Sequence, residues 1–115
     1  MKKLLTVAVA AMTLAGTLNA QTVGNAKAAE PKVAMCIGCH AIPGYRISYP
    51  EIYTVPLLGG QNAAYIVSAL QAYKKGERKH PTMRGIAGTL TDQDMADIAE
   101  YYAAQTSATA INKLK

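Results

Sequence analysis

One segment constrains this chain more than the rest of its 115 residues: Cys36-Ile37-Gly38-Cys39-His40. On a helix, positions i, i+3 and i+4 lie on one face, so two thiols and an imidazole with this spacing can reach a single bound group. This is the spacing by which a chain attaches a c-type haem. The thiols form thioethers with the haem vinyl groups, and the imidazole binds the iron. We therefore predict one haem c, attached through Cys36 and Cys39, with His40 as an axial ligand.

Other uses of the two cysteines explain the segment less well. A disulfide across so short a loop would constrain very little of the unfolded chain. A thioredoxin-like redox motif should follow a strand, and no strand pattern precedes Cys36. A zinc site needs four well-spaced ligands, and the chain adds only two histidines, His40 and His80. Haem attachment also uses the histidine that directly follows the second cysteine.

The first 20 residues have the pattern of a secretory signal peptide. Lys2 and Lys3 form a basic start, the apolar run over 4–18 is short for a bilayer span, and Ala20 is a small residue at a cleavage point. Cleavage as late as residue 28 also fits the pattern, and an uncleaved segment would act as a membrane anchor. We expect export to the periplasm, removal of the segment, and no membrane span after cleavage.

Residues 21–115 then form a single domain of about 95 residues, whose surface-to-volume ratio limits the core that the chain can bury. A haem would help to fill that core. The formal net charge of the whole chain is +5, and it falls to +3 without Lys2 and Lys3. This mild excess is far from the charge of a nucleic-acid-binding arm, so we expect no nucleic-acid partner.

The domain is predicted to contain about three helices joined by long loops, without strands. Pro31 suits a first helical turn, which predicts a short helix over about 31–40. Apolar residues at helical spacing predict a second helix over about 62–75, with Gly76 as its C-terminal cap. Proline and glycine interrupt 41–60, so this segment is expected to be a loop that wraps one side of the haem.

The third predicted helix has the clearest start signal in the chain. Thr91 is placed to cap it, and Asp94 completes an acidic variant of the capping box. Leu90 and Met95 have the spacing of a hydrophobic staple. From residue 106 onward, small and polar residues predict a flexible C-terminal tail. The fold class predicted from these patterns is all-α.

A haem iron that transfers electrons takes a second axial ligand, and the chain offers methionines and one further histidine for it. Met35 is adjacent to Cys36 and cannot reach the opposite face of the haem. Met95 belongs to an apolar helical stripe, which favours a place in the core. Met83 lies in a segment without helical periodicity, so we expect it in a loop, where it is the preferred ligand. His80 is the competing ligand, or a solvent-exposed loop residue.

These segments together resemble the bacterial monohaem class I c-type cytochromes. The matching segments follow one another along nearly all of the mature chain: Cys36-Ile37-Gly38-Cys39-His40, Pro56-Leu57-Leu58-Gly59-Gly60-Gln61, the loop with Met83, and the helix around Tyr101 and Tyr102. The resemblance implies a small cytochrome c fold with His40 and Met83 as axial ligands and one haem edge open to solvent. It also implies that the carbonyl of Pro56 accepts a hydrogen bond from the His40 ring nitrogen that is not on iron.

One position departs from the family pattern. Family members usually carry an aromatic residue about one turn before the first cysteine, where it docks on the last helix. Here that neighbourhood is Lys32 and Val33. The way in which the first and last helices meet is therefore open, although Tyr101 or Tyr102 could cover the junction.

Histidine and methionine ligation makes both ferrous and ferric iron accessible and leaves no open position for a substrate. We therefore expect an electron carrier and not an enzyme, freely diffusing in the periplasm as a monomer or weak dimer. The alternative is a haem c subunit of a periplasmic dehydrogenase or sulfur-oxidising complex. A ligand-sensing haem protein would need an open or weakly held sixth position.

Basic residues cluster on either side of Met83: Lys74, Lys75, Arg78, Lys79 and Arg84. They predict a rim around the exposed haem edge that steers acidic redox partners. The other interpretation is that they complement a helix C-terminus and keep the surface solvated. Arg46 is a candidate contact to a haem propionate, or an exposed loop arginine.

Overall fold

The computed structural model describes residues 22–48 and 51–106. Within these ranges the chain forms four helices and two short strands. The elements are α1 (Ala34–His40), β1 (Arg46–Ile47), β2 (Tyr53–Thr54), α2 (Ala63–Lys75), α3 (Pro81–Gly88) and α4 (Asp92–Ala103). The predicted signal peptide, 1–20, and the tail over 107–115 lie outside the described residues, so both stay predictions.

The predicted all-α class is confirmed, and the two strands form only a minimal antiparallel pair. Arg46 pairs with Thr54 and Ile47 with Tyr53. The pair closes a loop within the segment that was expected to carry no strand, so that expectation is wrong at these four positions. A strand of two residues is too short for any alternation of apolar and polar residues to appear in the sequence.

The first helix is shorter than predicted. It begins at Ala34 and not at Pro31, which lies in a series of turns that precedes it. These turns start at Asn25, whose Oδ1 accepts hydrogen bonds from the backbone N–H groups of Lys27 and Ala28 at 3.0 and 3.3 Å. Backbone hydrogen bonds continue the turns past the proline, since the N–H groups of Lys32 and Val33 both donate to the carbonyl of Ala29, so Pro31 lies within the turns and not at a helix start.

The second helix has the predicted bounds and the predicted C-terminal cap, and Asn62 caps its start. The side chain of Asn62 accepts a hydrogen bond from the backbone N–H of Tyr65 at 3.1 Å, which satisfies one free donor of the first turn. Gly76 ends the helix in the left-handed conformation, with φ at 82°. Glycine adopts this conformation without the steric cost that a Cβ atom would bring.

Met83 lies on a helix and not in a loop, which corrects the prediction for this segment. Pro81 occupies the first turn of α3, where its missing N–H is no loss, and the side chain of His80 caps the helix. The helix has only eight residues and contains Gly85, so its periodicity is weak in the sequence. It is stabilised by packing, because Ala87 is fully buried in the core.

The last helix begins with the predicted capping box. The hydroxyl of Thr91 accepts from the Asp94 backbone N–H at 3.1 Å, and the Asp94 carboxylate accepts from the Thr91 backbone N–H at 2.9 Å. Leu90 and Met95, the two residues of the predicted staple, are both buried. The start of α4 is therefore fixed on both its polar and its apolar side.

The hydrophobic core lies where α4 packs against α2 and the N-terminal turns, and α3 packs against α2. Its buried members include Val33, Ile66, Leu70, Ile98 and Tyr102. Since α2 contacts α4 and α3 and also supplies one wall of a cleft, it is the element that joins the core to the site described below.

An ionic group stands where the family usually has an aromatic contact. The Nζ of Lys32 lies 2.7 Å from an oxygen of Asp94 and 2.8 Å from an oxygen of Asp97. Asp97 is 2 % exposed and also accepts hydrogen bonds from the backbone N–H of Asn25 and the amide of Gln93, each at 2.8 Å. These contacts lower the pKa of Asp97, with Lys32 the largest cause. The N-terminal segment and α4 are thus joined by a satisfied buried carboxylate.

Candidate haem site

A largely apolar cleft opens between α1, the segment that follows β2, α2 and α3. Its walls include Val55, Leu58, Ile66, Ala69, Leu70 and Ile86. Ligand sites of this kind combine apolar walls with a few placed polar groups. The cleft therefore suits a flat, mostly apolar group that is held at defined points along its edge.

Both cysteines lie on α1 with free thiols and are half-buried. Cys39 lines the cleft, and Cys36 packs against the neighbouring core. Burial raises the pKa of the Cys36 thiol, and the nearby Cys39 adds to the effect. No disulfide joins the two cysteines.

His40 ends α1 and lines the same cleft. Its Nδ1 lies 2.6 Å from the carbonyl oxygen of Pro56, the contact that the family resemblance implies. Burial lowers the pKa of His40 most strongly, the hydrogen bond to Pro56 opposes this, and nearby His80 lowers it further. A neutral imidazole that donates its Nδ1–H to a carbonyl keeps the Nε2 lone pair for a metal.

Met83 reaches the cleft from α3. It is half-buried and packs against the core, so its side chain is held in place. An imidazole from α1 and a thioether from α3 therefore line one cavity. Of the other methionines in the described residues, Met95 is fully buried in the core, and Met35 lies on α1, next to Cys36, where it is half-exposed and lines the cleft.

His80 also lines the cleft, but one of its ring nitrogens is already in use. Its Nδ1 accepts a hydrogen bond from the backbone N–H of Met83 at 3.3 Å. The ring packs edge-on against Tyr53, with centroids 5.9 Å apart. His80 is therefore not a free loop residue: it caps the helix that carries Met83.

A polar group in the cleft, made by Tyr65, Tyr73 and Arg78, was not predicted from the sequence. The guanidinium carbon of Arg78 lies 4.7 Å from the centroid of the Tyr73 ring, and its Nη1 lies 3.5 Å from the Tyr65 hydroxyl. The two tyrosines are about two helical turns apart on α2, a spacing that could have indicated a shared face. Arg46, the arginine considered from the sequence, is exposed and is not among the described residues that line the cleft.

These residues fit a haem c. The Cys39 thiol, a neutral imidazole fixed through its far nitrogen and a thioether border one apolar cleft, and the Cys36 thiol lies on the same short helix beside it. The thiols would hold the group covalently, and the imidazole and thioether would hold its iron. A haem c in this site supplies an iron that alternates between ferrous and ferric states, moving one electron at a time.

Comparison with known proteins agrees with this geometry. The family model described as Cytochrome c matches residues 25–104, which contain all four helices and the cleft. The chain belongs to the cytochrome c family. This cytochrome is 41% identical over 85 residues to cytochrome c-554(548) of Halomonas halodenitrificans, a match that covers 71% of this chain and 98% of that protein. The predicted family is thereby confirmed.

Cytochrome c4 proteins are also similar to this chain. That of Pseudomonas aeruginosa is 37% identical over 94 residues, which cover 82% of this chain and 45% of that protein. The crystal structure of reduced recombinant cytochrome c4 from Pseudomonas stutzeri matches with a TM-score of 0.59 and 35% identity, over 73% of this chain and 47% of that chain. The chain thus spans nearly all of the cytochrome c-554(548) relative and slightly less than half of these cytochrome c4 relatives.

A further relative carries a more specific name. The thiosulfate dehydrogenase electron acceptor of Stutzerimonas stutzeri is 32% identical over 77 residues, which cover 64% of this chain and 34% of that protein.

Membership of the family confirms the predicted cofactor and class of function. This cytochrome carries covalently bound haem c, transfers electrons to and from redox partners, and is not an enzyme. In the part of the chain that the structure describes, no helix is long and apolar enough to cross a membrane.

Proposed function

We propose that this cytochrome is a periplasmic carrier that shuttles single electrons through one haem c with His40 and Met83 as its axial ligands. Thioethers at Cys36 and Cys39 hold the haem, and the carbonyl of Pro56 holds the His40 ring. The observation that carries the proposal is the placement of an imidazole with its Nδ1 bonded at 2.6 Å and a thioether on one apolar cleft beside two free thiols.

Ligation by histidine and methionine suits a carrier for two physical reasons. Methionine raises the reduction potential relative to a second imidazole, so reduced and oxidised forms are both accessible to partners. Six-coordinate iron also leaves no position at which a substrate could bind. The hydrogen bond to Pro56 orients the imidazole and increases its basicity, and a more basic ligand stabilises ferric iron.

Absorption spectroscopy tests the ligand set. A pyridine haemochrome spectrum is expected to report a haem with two thioether bonds, and the oxidised protein is expected to show the weak far-red band of a sulfur-to-iron bond. The reduced protein should bind carbon monoxide only slowly at neutral pH. Rapid binding to the unmodified protein would contradict Met83 as a firm ligand.

Export to the periplasm rests on the first 20 residues, whose basic start, short apolar run and small residue at the cleavage point are those of a signal peptide. The test is the intact mass of protein recovered from the periplasm of a host that matures c-type cytochromes. The expected mass is that of the chain from residue 21, or from as late as residue 29, with one haem added. A mass that retains Lys2 and Lys3 would contradict cleavage.

The proposed docking surface for acidic partners is narrower than the whole cluster of basic residues. Lys74 donates a hydrogen bond to the carbonyl of Leu90 at 2.5 Å, so this side chain stabilises the contact between α2 and the turn before α4. Lys75, Lys79 and Arg84 are exposed, and we call these three the basic rim. Lys75 ends α2, Lys79 lies between α2 and α3, and Arg84 follows Met83 on α3, so the rim would steer an acidic partner towards the haem.

Kinetics across a salt series test the basic rim. The rate constant of electron transfer to an acidic partner is expected to fall as salt rises, and replacement of Lys75, Lys79 and Arg84 by Gln should flatten that dependence. Replacing Lys27, an exposed lysine of the N-terminal turns, is the control and should leave the slope unchanged. During these measurements we expect the protein to sediment as a monomer or weak dimer.

A second candidate function is a dedicated acceptor within a dehydrogenase or sulfur-oxidising complex. It is favoured by the similarity to the thiosulfate dehydrogenase electron acceptor. The iron chemistry would be the same, and only the permanence of the partnership would differ. Copurification with a dehydrogenase at fixed stoichiometry would support this function, whereas recovery of the free cytochrome with rapid exchange among several partners would support the diffusing carrier.

A further inference from the structure

Arg78 is the one Lys, Arg, Asp or Glu among the described residues that line the cleft. Within the described part of the chain the observed ion pairs are those of Lys32, so no carboxylate of these residues neutralises the Arg78 guanidinium. A fixed cation therefore faces an otherwise uncharged wall. A haem c brings its own anions to such a cleft, because the macrocycle carries two propionate carboxylates.

The backbone turn after α2 directs Arg78 back along that helix. Gly76 takes the left-handed conformation, and the N–H groups of Glu77 and Arg78 both donate to the carbonyl of Ala72, at 2.8 and 3.1 Å. The chain therefore reverses direction directly after the helix. As a result, the long side chain of Arg78 runs beside α2 towards the residues that face the cleft.

Two tyrosines of α2 hold the guanidinium in place. It lies over the ring of Tyr73 at 4.7 Å, a cation–π contact, and its Nη1 lies 3.5 Å from the Tyr65 hydroxyl oxygen. Stacking on one ring leaves the in-plane N–H groups of arginine available for two parallel hydrogen bonds to a carboxylate. The Tyr65 hydroxyl accepts from Arg78 and keeps its own proton to donate.

We propose that Arg78 and the hydroxyl of Tyr65 form a carboxylate-binding site at the cleft and contact a propionate of the haem. The proposal rests on the proposed placement of the haem, and it assigns to Arg78 the role that the sequence suggested for Arg46. Both Arg78 and Tyr65 are exposed, which places the site at the solvent-accessible edge of the cleft. The same chemistry could bind an acidic side chain of a redox partner, and the experiment separates these two sources.

A guanidinium beside a haem propionate has two measurable effects on the isolated protein. Its positive charge favours the ferrous state, which carries one more electron, and so raises the reduction potential. It also stabilises the ionised propionate and lowers the pKa of that carboxyl by about one to three pH units. The reduction potential depends on pH only in the range where the propionate titrates. Because Arg78 shifts that range to lower pH, the potential stays independent of pH further into the acid range.

The test is the reduction potential of the isolated holoprotein as a function of pH, for the unmodified protein, Arg78→Gln and Arg78→Lys. Arg84→Gln is the matched control, because it removes an equal charge from the same surface without touching the cleft. Arg78→Gln is expected to lower the potential more than Arg84→Gln and to move the pH-dependent region upward by about one to three pH units. Arg78→Lys should recover part of the potential, and Tyr65→Phe should give a smaller change in the same direction.

Equal shifts for Arg78→Gln and Arg84→Gln, with an unchanged pH profile, would overturn the proposal. So would a larger shift for Arg46→Gln. If Arg78→Gln changes only the salt dependence of electron transfer to an acidic partner, the carboxylate belongs to the partner and the haem contact is wrong. A pyridine haemochrome spectrum without haem c would instead reject the proposed function itself, so the two failures are distinguishable.

Discussion

The Nδ1 of His40 and the carbonyl oxygen of Pro56 lie 2.6 Å apart, although the two residues are separated by 16 positions in the chain. The contact joins the end of α1 to the segment after β2, so the loop that begins at Ala41 is closed by the residue proposed to bind iron. Proline locks its φ, which limits the conformations of the backbone that carries this carbonyl. The ligand ring is thus oriented by the least flexible residue type.

Pro56→Ala is expected to loosen this contact. Alanine frees φ, which should lower the free energy of unfolding by about 0.4–1 kcal/mol and weaken the hydrogen bond to His40. A less basic imidazole stabilises ferric iron less, so the reduction potential should rise. Voltammetry and denaturant titration of the holoprotein measure the two effects. An unchanged reduction potential in a destabilised variant would show that Pro56 stabilises the loop but does not affect the His40 ring.

Met83→Ala should open the sixth position of the iron. The far-red band of the oxidised protein should disappear, and the reduced protein should bind carbon monoxide rapidly at neutral pH. Met95→Leu is the control, because Met95 is fully buried in the core and a volume-conserving change there costs less than about 1.5 kcal/mol. The far-red band should persist in Met95→Leu. Loss of the far-red band in Met95→Leu but not in Met83→Ala would indicate that Met95, and not Met83, binds the iron.

His80 is expected to position Met83 through the cap of α3. His80→Ala removes the acceptor for the Met83 N–H and should lower the free energy of unfolding by about 0.5–2 kcal/mol while weakening the far-red band. His80→Asn supplies another side-chain acceptor and should restore both. If His80→Asn behaves like His80→Ala, the imidazole acts directly on the haem pocket and not through the cap.

The carboxylate of Asp97 should make stability depend on pH in acid. Its pKa is lowered in the folded state, chiefly by Lys32, so its contribution is complete above the unfolded pKa of about 4 and is lost as pH falls through the folded pKa. Asp97→Asn should therefore lower stability at neutral pH and flatten its fall below about pH 4. Asp92→Asn removes an exposed carboxylate from the first turn of α4 and should lower stability at neutral pH by no more than about 0.3–1 kcal/mol. Urea titrations at several pH values decide between these outcomes.

The parts of the fold that could be predicted from sequence are those set by local chemistry. The Gly76 cap and the Thr91–Asp94 capping box each lie within a few residues, and both were predicted correctly. α3 was missed because a helix of two turns that contains glycine depends on packing against α2 for its stability. Periodicity in a single sequence does not report that packing.

The site also contains features that could be predicted from the local sequence and features that could not. The spacing of the cysteines and histidine is local, so the sequence alone predicted haem c, which family membership confirms. The position of Arg78 over Tyr73 depends on a backbone reversal, and the pairing of Lys32 with Asp97 joins residues 65 positions apart. Lys32 and Asp97 are too far apart in the chain to form a local pattern. Arg78 follows Tyr73 closely, but the reversal at Gly76, and not a helical period, brings the two side chains together.

The link between Lys32 and Asp97 also has a consequence for the order in which the molecule is completed. The N-terminal turns and α4 are separated by most of the described chain, so the buried carboxylate can meet its cation only after the polypeptide has been made as far as Asp97. Closing a loop of this length costs more conformational entropy than forming a local contact. Until that loop closes, the turns that lead into α1, the helix that carries both cysteines, lack the support of α4.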